Sequence, residues 1–275
     1  MKFKLAAFAD EADSSLEGQI AAMLNNGIEY LEIRGVDGEN ISDISADKAR
    51  GIRVLLDEAG ISVWSLGSPF GKIGITEDFE PHLDKFKHGL ELADILGTRH
   101  IRIFSFYVPQ GNAERYSDEV MKRLEKMLEM AKGSGITLCH ENEKGIYGDN
   151  AERCAEIHKT LPELRAVFDP ANFVQCGQET KSAWDQLSPY IEYLHIKDAL
   201  ADGSVVPAGN GIGNVPYILQ KYHGEILTIE PHLSVFNGFD KLEHCEAAER
   251  KYCYPDQRTA FCAAVKALKK IAEEI

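Results

Sequence analysis

Residues 119–142 read EVMKRLEKMLEMAKGSGITLCHEN. This stretch decides the fold, because one continuous run holds a helix, its stop and a strand with a charged end. Val120, Leu124, Met127, Leu128 and Ala131 recur at helical spacing, which lines them up on one face. Gly135 follows, and a glycine just past a helix suits the left-handed position that ends it. Ile136–Glu141 is then a short apolar run of the kind buried on both faces of a parallel sheet.

The same order recurs upstream. Leu16, Ile20, Met23 and Leu24 precede Gly27; Ala49, Ile52, Leu55 and Leu56 precede Gly60; Phe86, Leu90, Ala93 and Leu96 precede Gly97. Working outward gives eight strand candidates: Phe3–Phe8, Ile28–Arg34, Ile61–Leu66, His100–Phe104, Ile136–Glu141, Leu164–Asp169, Tyr193–Ile196 and Ile226–Glu230. Strands alternating with helices imply a parallel sheet. Eight is the number that closes it, so the expected fold is an α/β (β/α)8 TIM barrel, with a doubly wound open sheet as the alternative. A one-domain barrel of about 250 residues matches the chain's 275, and no low-complexity linker divides it. The expectation is one domain over residues 1–275.

Composition narrows the partners. The chain is 44% hydrophobic and 27% charged, with a formal net charge of −14. That charge repels phosphate backbones and anionic lipid, which argues against nucleic acid and membrane as partners. The six cysteines form no CxxC pair, and in a chain of this size they read as reduced thiols. The apolar run Leu5–Ala9 is closed by Asp10 and Glu11, too soon for a signal peptide. No stretch approaches the roughly eighteen apolar residues of a membrane span. The expected location is cytoplasmic.

In a barrel, chemistry gathers where strands end at the C-terminal face. The fifth candidate ends TLCHEN with Glu141, the sixth AVFDPAN with Asp169, the seventh YLHIKD with His195, and the eighth LTIEPH with Glu230. Any one of these reads as readily as an isolated polar strand end; four in succession do not. Three carboxylates brought to one place repel one another unless a cation neutralises them. Carboxylate oxygens with one imidazole suit a single divalent metal ion, Mn2+, Mg2+, Co2+ or Zn2+.

These four stretches, with the later loop PAGNGIGNVP, resemble the xylose isomerase-like TIM-barrel family of sugar phosphate isomerases and epimerases. The resemblance runs from LAAFADE to TIEPH, nearly the whole chain. The superfamily also holds ketose 3-epimerases, hydroxypyruvate isomerases, inosose dehydratases and apurinic endonucleases. The resemblance implies that Glu141, Asp169, His195 and Glu230 bind one metal, and that Glu141 and Glu230 flank a small sugar or sugar-phosphate substrate as acid and base. The chemistry is coherent. A carboxylate removes a proton beside a carbonyl, a metal stabilises the enediolate, and a second carboxylate returns the proton. Two positions depart from the family: Asn172 and Glu143 stand where many epimerases carry histidine.

Further substrate-binding candidates surround the four. Asn172 can hydrogen-bond a hydroxyl. Lys197 follows His195, Arg34 ends the second strand, His232 follows Glu230, and Trp64 offers an apolar face to a sugar ring. Each also reads as structural: Lys197 and Arg34, like Arg102, as internal ion pairs, Trp64 and Phe70 as core, and His232 as solvent-facing. The Gly209–Gly213 loop follows the seventh strand and not the first, so it is no dinucleotide fingerprint; it reads as a loop near the substrate or its phosphate, or as a plain turn opening a helix near Val215. The irregular stretch 231–256, with Phe236, Phe239, Tyr252 and Tyr254, would cap the barrel or join a homo-oligomer. A metal-dependent dehydratase of the inosose type, eliminating water from the same enediolate, is the competing function. An endonuclease on this barrel needs extra histidines and a basic stripe, which the sequence lacks.

Overall fold

The computed structural model describes residues 2–235 and 252–275. Eight parallel strands close into a barrel: β1 Lys4–Ala7, β2 Tyr30–Ile33, β3 Ser62–Gly67, β4 His100–Ile103, β5 Thr137–Glu141, β6 Arg165–Phe168, β7 Ile191–Ile196 and β8 Ile226–Ile229. Neighbours in sequence are neighbours in the barrel. β1 closes it, with Ala6 beside Tyr30 of β2 and Ala7 beside Ile229 of β8. The closed barrel expected from the sequence is the fold, and the open sheet is excluded.

Around it run α1 Leu16–Asn25, α2 Ala46–Glu58, α3 Glu80–Leu96, α4 Ser117–Ala131, α5 Ala151–Thr160, α6 Pro170–Gln175, α7 Thr180–Leu187, α8 Val215–Lys221 and α9 Gln257–Glu274. Their starts are written locally. Ser15, Ser45, Asn150 and Asp256 each accept a backbone N–H of the first turn, worth about 1 kcal/mol apiece. Their ends are written too. Gly27, Gly60 and Gly97 follow α1 to α3 with positive φ, between 62° and 72°, and after α4 it is Gly133, φ 84°, that takes this place two residues before Gly135. Other residues are strained at such φ.

Leu31, Ile33, Ile101, Ile103, Leu138, Leu194 and Leu227 point outward from the strands and pack with Leu56, Leu92, Leu124, Val265 and Leu268 of the helices in one continuous core. Each such side chain contributes about 1.5–3 kcal/mol on full burial. A separate small cluster, Ala6, Cys139, Val167, Tyr193 and Ile226, plugs the barrel interior. Above this plug, toward the C-terminal mouth, the interior becomes polar.

Several strands are shorter than expected, and Phe8, Arg34, Phe104, Asp169 and Glu230 each lie one residue past a strand end. Phe8 leads into the 3-10 turn Ala9–Glu11. Asp169 becomes the N-cap of α6, and its own N–H goes to Asn142 Oδ1 at 2.9 Å, not to a strand carbonyl. The β2–β3 register slips, Leu31 pairing with Val63 and Glu32 with Ser65, so Trp64 is an extra residue in the ladder. In the stretch 231–256, Val235 bridges to Tyr254; Phe236 and Phe239 lie outside the described residues. Cys139, Cys154, Cys176 and Cys262 are free thiols. Among the described residues no helix is long and apolar enough to cross a membrane.

Candidate active site

Four strands place four donors side by side. Glu141 ends β5, Asp169 and Glu230 follow β6 and β8, and His195 lies near the end of β7. All four are buried, and ligand atoms from each lie within 4.8 Å of one another. Neighbours hold each in place. Glu141 Oε1 accepts from Asn172 Nδ2 at 3.1 Å and lies 3.1 Å from His195 Nδ1, while Oε2 lies 3.1 Å from Arg102 Nη1. Asp169 Oδ1 accepts the Asn172 N–H at 2.9 Å. The Asn142 side chain clamps the Asp169 backbone, accepting its N–H and donating to its carbonyl, both at 2.9 Å. Glu230 Oε2 accepts from Lys197 Nζ at 3.0 Å and Oε1 lies 3.3 Å from Arg34 Nη1.

The electrostatics follow from burial set against these partners. Burial opposes charge on Glu141, but His195 and Arg102 outweigh it and hold the carboxyl at about 2. Burial likewise opposes charge on Glu230, and Lys197, His232 and His195 outweigh it, holding Glu230 well below the usual range. Asp169 goes the other way. Burial lifts it to about 7 against Lys197, with Glu230 and Glu141 adding repulsion. Its Oδ2 is buried and receives no hydrogen bond from the described residues; the 2.9 Å approach of Lys197 Nζ is an ion pair without hydrogen-bond geometry. Three buried carboxylates and one imidazole converging on one place, with one carboxylate oxygen that receives no hydrogen bond, form a donor set that a divalent cation would satisfy. The residues fit one.

The remaining candidates divide. Asn172 is brought in, yet its amide donates to Glu141 and to Asn142 O at 2.9 Å, so it orients a donor. Lys197 sits among the donors. Arg34 lies at the rim, its Nε and Nη2 given to Asp10 and Glu11 and only Nη1 turned toward Glu230 and His232. His232 is exposed at the rim, on left-handed backbone with φ 42°. Glu11, Glu230 and His232 form a second close group, but the Arg34 guanidinium already lies within 3.2–3.4 Å of all three and supplies its positive charge. Trp64 is not brought to the mouth. As the extra residue of the register slip it turns into the barrel beneath, stacked on His100 at 4.1 Å and edge-on to Tyr193 at 5.7 Å.

The glycine-rich loop differs from the phosphate-loop reading. Its N–H groups at Gly209, Gly211 and Gly213 donate to the Asp198 carboxylate at 2.8–3.0 Å, so those amides are spent on holding the loop. A separate cleft is lined by Val108, Lys144, Asn150, Arg153 and Cys176, and neither the glycine-rich loop nor any of the four donors lines it.

Glu32 and Gly67, not singled out in the sequence, and Arg102, read there as an internal ion pair, complete the site. Glu32, in the middle of β2, lies 3.1 Å from His195 Nε2. Arg102 pairs with Glu141. Gly67 makes room, since a Cβ there would meet Phe8 Cε1 at 2.5 Å. The signal was present: a charge at the centre of the apolar runs YLEI and HIRI has no place in a strand buried on both faces unless the barrel interior is polar.

A closed barrel with a buried carboxylate–histidine centre at its C-terminal mouth defines a class of TIM-barrel protein. The family model of the xylose isomerase-like TIM barrel matches residues 20–231, and the chain belongs to that family. No curated protein matches the sequence. Among solved structures, the fold is similar to the probable 3-DHS dehydratase AsbF of Bacillus anthracis, with TM-score 0.73 at 18% identity over 98% of this chain and 99% of that one. It is also similar to the IOLI protein with a binding zinc atom, with TM-score 0.74 at 18% identity over 98% of both chains. A D-tagatose 3-epimerase-like protein gives TM-score 0.71 at 17% identity over 98% of this chain and 99% of that one.

Proposed function

We propose that the protein is a divalent-metal-dependent isomerase or epimerase of a small sugar or sugar phosphate, working by proton transfer beside a carbonyl. The observation that carries this is the convergence of Glu141, Asp169, His195 and Glu230 in one buried group, with an Asp169 oxygen that receives no hydrogen bond from the described residues. These four residues would hold the ion, which supplies Lewis-acid polarisation of the substrate carbonyl when bound. Glu141 and Glu230 are the first and last of the four donors around the ring, on β5 and after β8, so a substrate lying between them would present one face to each. Both are held ionised, the state in which a carboxylate removes a proton. Arg102 and Asn172 fix Glu141; Lys197 and Arg34 fix Glu230. The cytoplasmic setting expected from the sequence belongs to the same proposal.

One observation favours a second reading. The Lys197 ammonium lies 3.0 Å from Glu230, and a buried proton donor there suits loss of water from a β-hydroxyl, as a dehydratase requires. One experiment separates the two. A panel of aldoses, ketoses and their phosphates is incubated with the enzyme and Mn2+ in D2O, the ion is then chelated, and the products are read by NMR. An isomerase or epimerase replaces one C–H by C–D beside the carbonyl and keeps all oxygens. A dehydratase gives an unsaturated or deoxy product. Absence of exchange and of elimination across the panel sinks the proposal.

A further inference from the structure

Glu32 has no solvent exposure. A carboxylate stripped of water is costly unless both oxygens find partners. Both do: Oε1 accepts from the Tyr193 hydroxyl at 2.7 Å, and Oε2 lies 3.1 Å from His195 Nε2. The same hydroxyl lies 3.2 Å from Ser65 Oγ. A carboxylate oxygen is an acceptor, so the hydrogen bond at Oε2 is one that the Nε2–H of His195 donates. The other ring nitrogen, Nδ1, faces Glu141 at 3.1 Å and Glu230 at 3.5 Å. Phe8 and Tyr193 flank the ring at centroid distances of 5.1 and 5.5 Å, leaving it little freedom to turn over.

We infer that Glu32 is a positioning residue for His195. It fixes the Nε2–H tautomer and the ring plane, so that the lone pair of Nδ1 is the one offered to the cation, and Tyr193 holds Glu32 in turn. A neutral imidazole can place its proton on either nitrogen, and only one choice leaves a donor lone pair facing Glu141, Asp169 and Glu230. The partner of the distal nitrogen makes that choice. This inference rests on the proposed metal dependence and deepens it.

The test uses Zn2+, which is diamagnetic, and full-length protein labelled with 15N-histidine. Zn2+ affinity is measured by calorimetry and the His195 ring shifts by NMR, for wild type, Glu32→Gln and Tyr193→Phe. Glu32→Gln should bind Zn2+ about 10–100-fold more weakly, and the Zn2+-loaded His195 ring, which in wild type keeps its proton on Nε2 alone, should show shifted ring 15N signals. Tyr193→Phe should shift both readouts in the same direction by less, and it carries the test if the Gln variant does not fold. A residue that merely fills space would lower the melting temperature and leave the ring shifts unmoved. Wild-type Zn2+ binding with unchanged affinity and ring shifts in the folded variants overturns the role of Glu32 alone. A wild-type protein with no Zn2+ affinity overturns this inference and the metal-dependent function together.

Discussion

Strands β5 to β8 and strands β1 to β4 end at the same mouth, yet they deliver different chemistry. The later arc brings Glu141, Asp169, His195 and Glu230, the residues able to donate to a cation. The earlier arc brings Arg102, Arg34 and Glu32, and each of these touches one donor: Arg102 touches Glu141, Arg34 touches Glu230, and Glu32 touches His195. Phe8 lies between them, with Arg34 over its ring at 4.5 Å and Arg102 at 5.6 Å. The later arc presents the reactive groups, braced by its own Lys197, Asn172 and Asn142, and the earlier arc adds only residues that set their charge and orientation. The two arcs should therefore fail differently when cut.

The largest effects belong to the later arc. Glu141→Gln and Glu230→Gln keep shape and one oxygen but remove basicity, and each should lower turnover of an identified substrate by about 10²–10⁴. Asp169→Ala removes a donor and leaves no replacement, so Mn2+ affinity measured by calorimetry should fall by more than the roughly 10–100-fold typical of an outer partner. Near wild-type turnover in both Gln variants would eliminate the two-carboxylate mechanism. Unchanged Mn2+ affinity in Asp169→Ala would break the division of the mouth into donors and setters.

The earlier arc should answer in stability. Arg102 and Glu141 are both almost fully buried, so Arg102→Met strands a buried carboxylate and should cost about 3–5 kcal/mol in urea unfolding of the metal-free protein. The Arg34 side chain is 25% exposed, and water shares the work of its charge. Arg34→Met should cost less, about 1–3 kcal/mol. Equal costs would mean that the two guanidinium groups do not differ in how far they are desolvated.

The contrast between arcs also explains what could be read from the sequence. Glu141, Asp169, His195 and Glu230 each follow an apolar run at the place where a strand must stop, so strand order alone brings them together. Glu32 and Arg102 lie inside their runs, where the alternation of a barrel strand turns them inward. Seeing that requires knowing that the upper interior is polar, which is a property of the closed ring and of no single strand. Asn142 was visible in the motif HEN, but its service to the Asp169 backbone depends on a contact 27 residues away. The slip that turns Trp64 inward lies between Leu31 and Glu32 on the neighbouring strand, and the sequence carries no local sign of it.

A smaller effect separates both arcs from the outer ring. His158 on α5 is buried, and Leu164 O lies 2.9 Å from its Nδ1. Burial lowers its pKa from 6.5 to about 4, with Arg165 adding repulsion against the favourable carbonyl contact. The folded protein therefore takes up this proton later than the unfolded chain as pH falls. The stabilisation is complete above pH 6.5 and is lost progressively as pH falls toward 4, amounting to about 2 kcal/mol by pH 5. His82, whose Nε2 accepts the Gly71 N–H at 2.9 Å, is also lowered to about 4 and acts in the same direction. Urea unfolding of wild type and His158→Gln between pH 7 and 5 isolates the effect, because the mouth carboxylates titrate in both. Parallel curves would show that His158 contributes nothing.

The smallest effect is expected beneath the mouth, at Trp64→Phe. The indole stacks on His100 and meets Tyr193 edge-on, and its Nε1 is buried with no hydrogen-bond partner among the described residues. Phenylalanine keeps an aromatic face on His100 and removes an unsatisfied N–H that costs about 1–3 kcal/mol. It also leaves a void where the larger ring stood, and an incompletely filled void costs about the same. The two terms oppose, so the net change in unfolding free energy should be about 1 kcal/mol or less. Zn2+ affinity should stay within about twofold of wild type, since Trp64 touches none of the four donors and reaches His195 only through Tyr193 and Glu32, with no hydrogen bond of its own along that path. A tenfold loss of affinity would show that the layer under the mouth sets His195 as strongly as the earlier arc does, and the boundary between setters and packing would then fall one layer deeper in the barrel.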